Sequence, residues 1–375
     1  MSHESPLPND VPEQPTGEIA SDDCSSDAHI ATLCQQLKQS AARHRGVADW
    51  PWTSLSMCAR KGVCRWFLPT DQGGLGYNAV EQTLGYLRLA QADLVTTFVI
   101  TQWVGAIKRI AGSENRFASD RWLPSLLAGN QFATVGISHL TTSGRHLDQP
   151  PMRVEMHSSS VVLSGVVPWV TGAAYADLIV VGAVTGDGEQ VLVAVPTNLA
   201  GVSAGQGAEL IALSASCTDK VRFNQVNVDR RYVLAGPIDN VLSSGSGGTA
   251  GGLQTSTLAL GLAYAALEYL QEESMRRQDL VQPTSQLTKE ANELKFQLLA
   301  AVAGETQCDA GQLRGSANSL VMRATQAAMM AAKGAGFVEG HPVGRWCRQA
   351  LFFLVWSCPQ PVAQAHLCEL ARIAQ

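Results

Sequence analysis

With 375 residues, 46% hydrophobic and 16% charged, the chain exceeds one small core, so two or three domains or one large multilayer unit is expected. A net charge of −5 with no run of Lys and Arg among aromatics excludes a nucleic-acid footprint, and no apolar run approaches the ~18 residues of a membrane span. The first Lys or Arg is Lys38, which excludes the positive start of a secretory signal, and nine scattered cysteines without a C-x-x-C pair argue for a reducing cytoplasm rather than a disulfide framework.

Residues 1–27 hold Pro, Ser, Asp and Glu with almost no large apolar side chain, a composition that reads as a disordered acidic tail. Over 28–130 the pattern is helical. Ile30, Leu33, Cys34 and Leu37 recur at helical spacing, residues 80–90 form a second such stretch, and a third at 122–127 stops at Gly129. Over 131–242 the period shortens, with strand candidates at 161–163, 178–184, 191–195 and 221–228 and a hairpin turn over 185–188. No helix-length segment separates them, so an antiparallel β domain is expected. A Gly- and Ser-rich joint over 243–252 opens the last part, 243–375. It is followed by long Ala- and Leu-rich helices over about 253–301 and 310–333. A final helix starts near 345 and breaks near Pro359 and Pro361. The reading is an α+β protein with an N-terminal helical domain, a middle antiparallel β-barrel-like domain and a C-terminal four-helix bundle. There is no internal repeat, no Walker sequence and no metal-ligand cluster.

The most telling segment runs from Leu163 through Trp169 and Thr171 to Asp177. It resembles the flavin-wall motif of the acyl-CoA dehydrogenase superfamily, Gly-x-Lys-x-Trp-Ile-Thr-Asn-Gly followed by Ala-Asp. Further markers keep the family's order. Residues 67–76 resemble its Pro-Glu-Glu-Tyr-Gly-Gly-Leu-Gly turn, and Leu123, Pro124 and Gly129 resemble the end of its first domain. Ser216, Thr218, Val221, Phe223, Val226 and Val228 resemble its Ser-x-Thr…Val-x-Phe strand. Gly261 and Arg277 keep the spacing of its first long C-terminal helix. Residues 334–337 with His341, Pro342, Val343, Arg345, Arg348 and Ala350 resemble its Gly-Asn-Gly-Phe…Pro-Val…Arg-Asp-Ala segment.

This resemblance implies FAD between the β domain and the C-terminal helices, a homodimer or homotetramer, an acyl-CoA substrate and an electron-transfer partner. It implies cofactor contacts at Trp169, at Thr171, at Ser138, Ser143 and Gly144 in the loop that replaces Thr-Glu-Pro-x-x-Gly-Ser-Asp, and at Arg277 toward a neighbouring subunit's pyrophosphate. Arg145 stands for that loop's Asp, and Lys333 adds a charge where the family has Gly.

The departure lies in the chemistry. Removing a proton beside a thioester needs a carboxylate within reach. The position of the family's Glu holds Ser357, and the alternative position falls near Gly251. Ser357 keeps a backbone N–H, which in the family polarises the thioester carbonyl. Replacement candidates are His139, Glu339 and His341, with Cys358 as a possible thiolate. Three functions follow. The first is an FAD-dependent oxidoreductase acting on the CH–CH group of an acyl thioester or related substrate. The second is a flavin monooxygenase of the same superfamily. The third is a non-catalytic member acting as a binding or assembly protein.

Overall fold

A computed structural model of the chain describes residues 27–140, 150–243, 252–306 and 308–373. The expected tail lies outside these residues except Asp27, where the first helix begins, as does most of the Gly-rich joint.

Five helices open the fold: α1 (Asp27–Ser40), α2 (Trp52–Arg60), α3 (Ala79–Ala92), α4 (Leu94–Ala111) and α5 (Arg116–Ala128). Local chemistry sets their ends. Asn78 Oδ1 accepts from the Val80 and Glu81 N–H groups, and the Glu81 carboxylate accepts from the Asn78 N–H, closing a capping box on α3. Helix α5 stops at Gly129, whose φ of 76° is the left-handed conformation its expected role as a stop requires. Helix α4 is buried on almost every side.

Eight strands follow: β1 (Ala133–Gly136), β2 (Met152–Met156), β3 (Ser160–Val170), β4 (Leu178–Val184), β5 (Gln190–Pro196), β6 (Val202–Ala204), β7 (Asp219–Asp229) and β8 (Val233–Ile238). They make one sheet in the order β6-β7-β3-β2-β4-β5-β8, with β1 paired to β4. The 11-residue strands β3 and β7 form its long antiparallel ladder, Val161 opposite Val228 and Leu163 opposite Val226. The β4–β5 hairpin turns over 185–188 as the sequence indicates. The expected antiparallel pattern has two exceptions. Strand β1 runs parallel to β4 with Ala133 opposite Leu178, and β2 meets β4 in parallel at Arg153 and Val184. The long chain between these partners permits the crossover that parallel pairing needs.

The remaining helices are α6 (Leu253–Ser274), α7 (Val281–Ala303), α8 (Ala310–Ala332), α9 (Pro342–Ala350) and α10 (Gln360–Ala371). The stretch expected to be helical over 253–301 is thus two helices, because Arg277 takes an extended conformation (φ −136°, ψ 102°) between them. The final helix starts earlier than expected. His341 Nδ1 accepts from the Val343 N–H and Pro342 sits at the first helical position. It ends in a 3-10 turn at Leu351–Leu354, and α10 begins after Pro359.

Helix α6 packs against both α8 and α3. A Cβ at Gly261 would lie 2.7 Å from both the Ala90 Cβ and the Leu87 carbonyl oxygen, so α6 and α3 meet backbone to backbone there. The ion pair Lys38–Glu268 (2.7 Å) and a hydrogen bond from Gln91 to Glu268 (3.3 Å) flank the seam. Among the described residues no helix is long and apolar enough to cross a membrane. None of their eight cysteines is in a disulfide.

Candidate active site

The end of β3 is built to present one side chain and bury its neighbours. The ladder with β7 loses register between Val167 and Val170. That irregularity turns Trp169 outward at 54% exposure while Val170 and Thr171 stay buried. Past it the chain turns at Gly172 (φ 65°), where a Cβ would lie 2.4 Å from the Trp50 ring. The Gly172 N–H donates to the Ser216 carbonyl (3.0 Å). Thr171 Oγ1 and Thr218 Oγ1 are hydrogen-bonded at 2.9 Å, and Thr218 Oγ1 and Ser216 Oγ at 2.9 Å. Three hydroxyls therefore form a buried chain beside the end of β3. A hydroxyl has one donor and two acceptor sites, so Thr171 retains capacity for a ligand. Asp177 closes the corner. Its carboxylate accepts from the Phe132 N–H (2.8 Å) and its own N–H donates to the Phe132 carbonyl (2.8 Å), tying the starts of β1 and β4.

Strand β1 leads from that tie toward the same end of β3. A Cβ at Gly136 would touch the Val167 and Val170 side chains. The turn at Ser138–Leu140 that follows packs on β3 and β4, and Ser138 lies two residues past the Gly136 contact with Val167 and Val170. His139 beside it is buried. Its Nε2 lies 2.9 Å from the Gly182 carbonyl, which fixes that nitrogen as the donor, and Nδ1 has no partner among the described residues. Burial pushes its pKa below the ordinary 6.5, against the smaller opposing pull of the Gly182 hydrogen bond, so the ring is neutral at pH 7. Ser143 and Gly144 lie outside the described residues, as do Arg145 and Gly251.

Ser357 belongs to a second neighbourhood. It lies between the 3-10 turn and α10 with φ 46°, a left-handed conformation unfavourable for a side-chain-bearing residue. The residues before it carry an aromatic cluster. Phe98 of α4 meets Phe352 and Trp356 edge-on at 4.9 and 5.0 Å, and Phe352 and Trp356 stack at 5.0 Å. Behind the loop, Arg314 of α8 is 1% exposed. Its Nη2 donates to the Phe353 and Trp356 carbonyls, both at 2.9 Å, and Asn318 Nδ2 donates to Phe353 at 3.1 Å. Arg314 Nε and Nη1 find no partner among the described residues. Burial pulls its guanidinium down to about 10, so it remains charged at pH 7. Cys358 is no thiolate at neutral pH, because burial raises its pKa more than the Arg314 charge lowers it.

Arg277 lies elsewhere. Its Nη1 donates to the Ala331 carbonyl (2.8 Å) at the end of α8 and its Nη2 to Asp279 (3.0 Å). Ala331 and Arg314 are 17 residues apart on α8, about 25 Å at 1.5 Å per residue. Lys333 caps the same end with φ 54°, a conformation a Gly would adopt freely. The other candidate bases have local employment: Glu339 is exposed near Arg45 (3.7 Å), and His341 caps α9.

The structure thus sets Trp169 and Thr171 at the end of β3, Ser138 in a turn packed on β3 and β4, and Ser357 on a separately held loop, and leaves Arg277 at the far end of α8. Sequence reading did not find Arg314 and Asn318. Their signal is an i, i+4 polar pair on the Leu313–Ala317–Leu320 face of the helix.

No family model matches the chain. It is similar to a probable acyl-CoA dehydrogenase of Bacillus subtilis, YngJ, at 22% identity over 246 residues, 63% of this chain. That match spans 64% of the relative's own length. The fold is similar to that of FkbI, solved for biosynthesis of a methoxymalonyl extender unit, with a TM-score of 0.77 at 19% identity, covering 92% of this chain and 99% of that one. It is equally similar to butyryl-CoA dehydrogenase from Megasphaera elsdenii, with a TM-score of 0.76 at 17% identity over 96% of this chain and 100% of that one.

Proposed function

We propose that this divergent member of the acyl-CoA dehydrogenase superfamily is an FAD-dependent oxidoreductase acting on the CH–CH group of an acyl thioester or a related substrate. One observation carries the reading: Trp169 stands exposed at the end of β3, two residues from Thr171 and its buried hydrogen bonds to Thr218 and, through it, Ser216. An exposed indole next in sequence to buried hydroxyls suits a flat, apolar ring system with polar edges. Those residues fit the flavin ring. When bound, FAD supplies a hydride acceptor.

The chain's own groups then divide the work. Trp169 packs a ring face, Thr171 and Ser138 offer hydroxyls at its edge, and the Ser357 N–H serves a carbonyl oxygen. Arg277 serves the pyrophosphate of a second subunit's cofactor. The roughly 25 Å along α8 between its contact and that of Arg314 supports that assignment. Asp279 already pairs with Arg277, so a phosphate must displace or share that contact. The assembly is accordingly a homodimer or homotetramer that passes electrons to a separate electron-transfer partner.

A second reading is favoured by a specific observation. Position 357 carries no carboxylate, and His139, beside Ser138, is neutral, buried and hydrogen-bonded to backbone. A flavin monooxygenase of this superfamily needs no base for an α-proton.

The test is the visible spectrum of the purified protein after addition of FAD and desalting, followed by anaerobic titration with acyl-CoA esters. Retained flavin bands that bleach with an ester support the dehydrogenase. Retained bands that no ester bleaches turn the assignment to the monooxygenase. A colourless protein leaves the non-catalytic binding role.

A further inference from the structure

The buried cation behind the 355–359 loop acts on one peptide bond. The Trp356 carbonyl and the Ser357 N–H belong to the same trans peptide, whose oxygen and hydrogen point in opposite directions. Arg314 Nη2 holds that oxygen at 2.9 Å. The Ser357 N–H is therefore directed away from α8, and it donates to no other described residue. A charge-assisted hydrogen bond is stronger than a neutral one, and loading a carbonyl with such a donor polarises the N–H on the same peptide. The same Nη2 also holds the Phe353 carbonyl, which Asn318 one turn further along α8 holds as well. The backbone leading into the left-handed residue is thus fixed at two carbonyls.

Burying a guanidinium without a carboxylate beside it is costly, and simple packing would be served as well by an apolar side chain. An uncompensated charge of this kind is explained by what it does to the peptide in front of it.

We propose that Arg314 is a positioning residue that aims and strengthens the Ser357 N–H as a hydrogen-bond donor to an acyl carbonyl oxygen. The proposal rests on the acyl-thioester reading above. It assigns the electrophilic half of the site to a backbone group activated from behind, in a chain whose side chain at 357 has lost the carboxylate.

The experiment uses the full-length FAD-loaded protein and crotonyl-CoA carrying 13C at its carbonyl. Difference infrared spectroscopy reads the carbonyl stretch, which falls as the oxygen accepts hydrogen bonds. The expected result is a downshift on binding to the unmodified protein, lost in Arg314→Met and intermediate in Arg314→Lys. Circular dichroism and flavin content confirm that each variant is folded. If Arg314→Met does not fold, Arg314→Lys decides, since an ammonium cannot reproduce the planar donor geometry. An unchanged downshift in the folded variants overturns the proposal, as does crotonyl-CoA bound without a downshift in the unmodified protein. Failure of the unmodified protein to bind crotonyl-CoA at all overturns instead the acyl-thioester reading beneath it.

Discussion

The end of β3 and the loop around Ser357 offer chemistry in opposite ways. At β3 the groups proposed to act are side chains, Trp169 and Thr171, set on a strand whose backbone bonds are spent on the sheet and on the Ser216 carbonyl. At the loop the group proposed to act is backbone, and the side chains behind it hold carbonyls in place. A presented side chain can be removed with little harm to the fold. A presented N–H depends on buried scaffolding, so function and stability are coupled there and separable at β3.

Arg314→Met probes that contrast hardest. It leaves the Trp356 carbonyl without its donor, which costs on the order of 2 kcal/mol after relief of the buried charge is counted. Denaturant unfolding of the flavin-free protein measures it. A stability loss no greater than that of Arg277→Met, which ties the break between α6 and α7 to the end of α8, would erase the distinction. Trp169→Ala is the complement. Its unfolding free energy should stay within about 0.5 kcal/mol of the parent. Flavin affinity should fall about tenfold, or roughly 1.4 kcal/mol, as the stacking surface is lost. Equilibrium dialysis with FAD reads the second quantity, and unchanged affinity would remove the β3 end from the site.

The smallest effect concerns His139. Its folded pKa lies below the ordinary 6.5, so its neutral form is favoured by folding. The contribution is complete above pH 6.5 and is lost as pH falls through the depressed folded value, because the unfolded chain gains the proton first. Comparing unfolding between pH 7.5 and 5 with that of a His139→Gln variant isolates it. Parallel profiles would mean that the ring is solvated in solution.

The order of helices, sheet and helices is legible because amphipathic and alternating patterns are local. So is Gly129, whose φ requires it. The role of Asp177 is not, because its carboxylate and N–H tie it to Phe132, 45 residues earlier. The motif around Trp169 could be read as a flavin wall by resemblance, yet the exposure of the indole depends on a register irregularity shared with β7, 50 residues further on. The break between α6 and α7 turns on one extended residue, Arg277, that looks like a solvated helical face. Arg314 is the hardest to see. Its importance lies in two carbonyls on a segment about 40 residues away, and a carbonyl is present in every residue alike.

The contact at Gly261 bears on how such a chain can be divided. Helices from its beginning and its end touch through bare backbone there, with the sheet threaded between them in sequence. A fragment ending after β8 would keep α3 but lose the helix that covers it, uncovering an apolar surface made for intimate contact. The two fragments are therefore expected to aggregate when made apart and to recombine when made together. Gene fusions and insertions are best borne at loops remote from this seam, such as the β4–β5 hairpin.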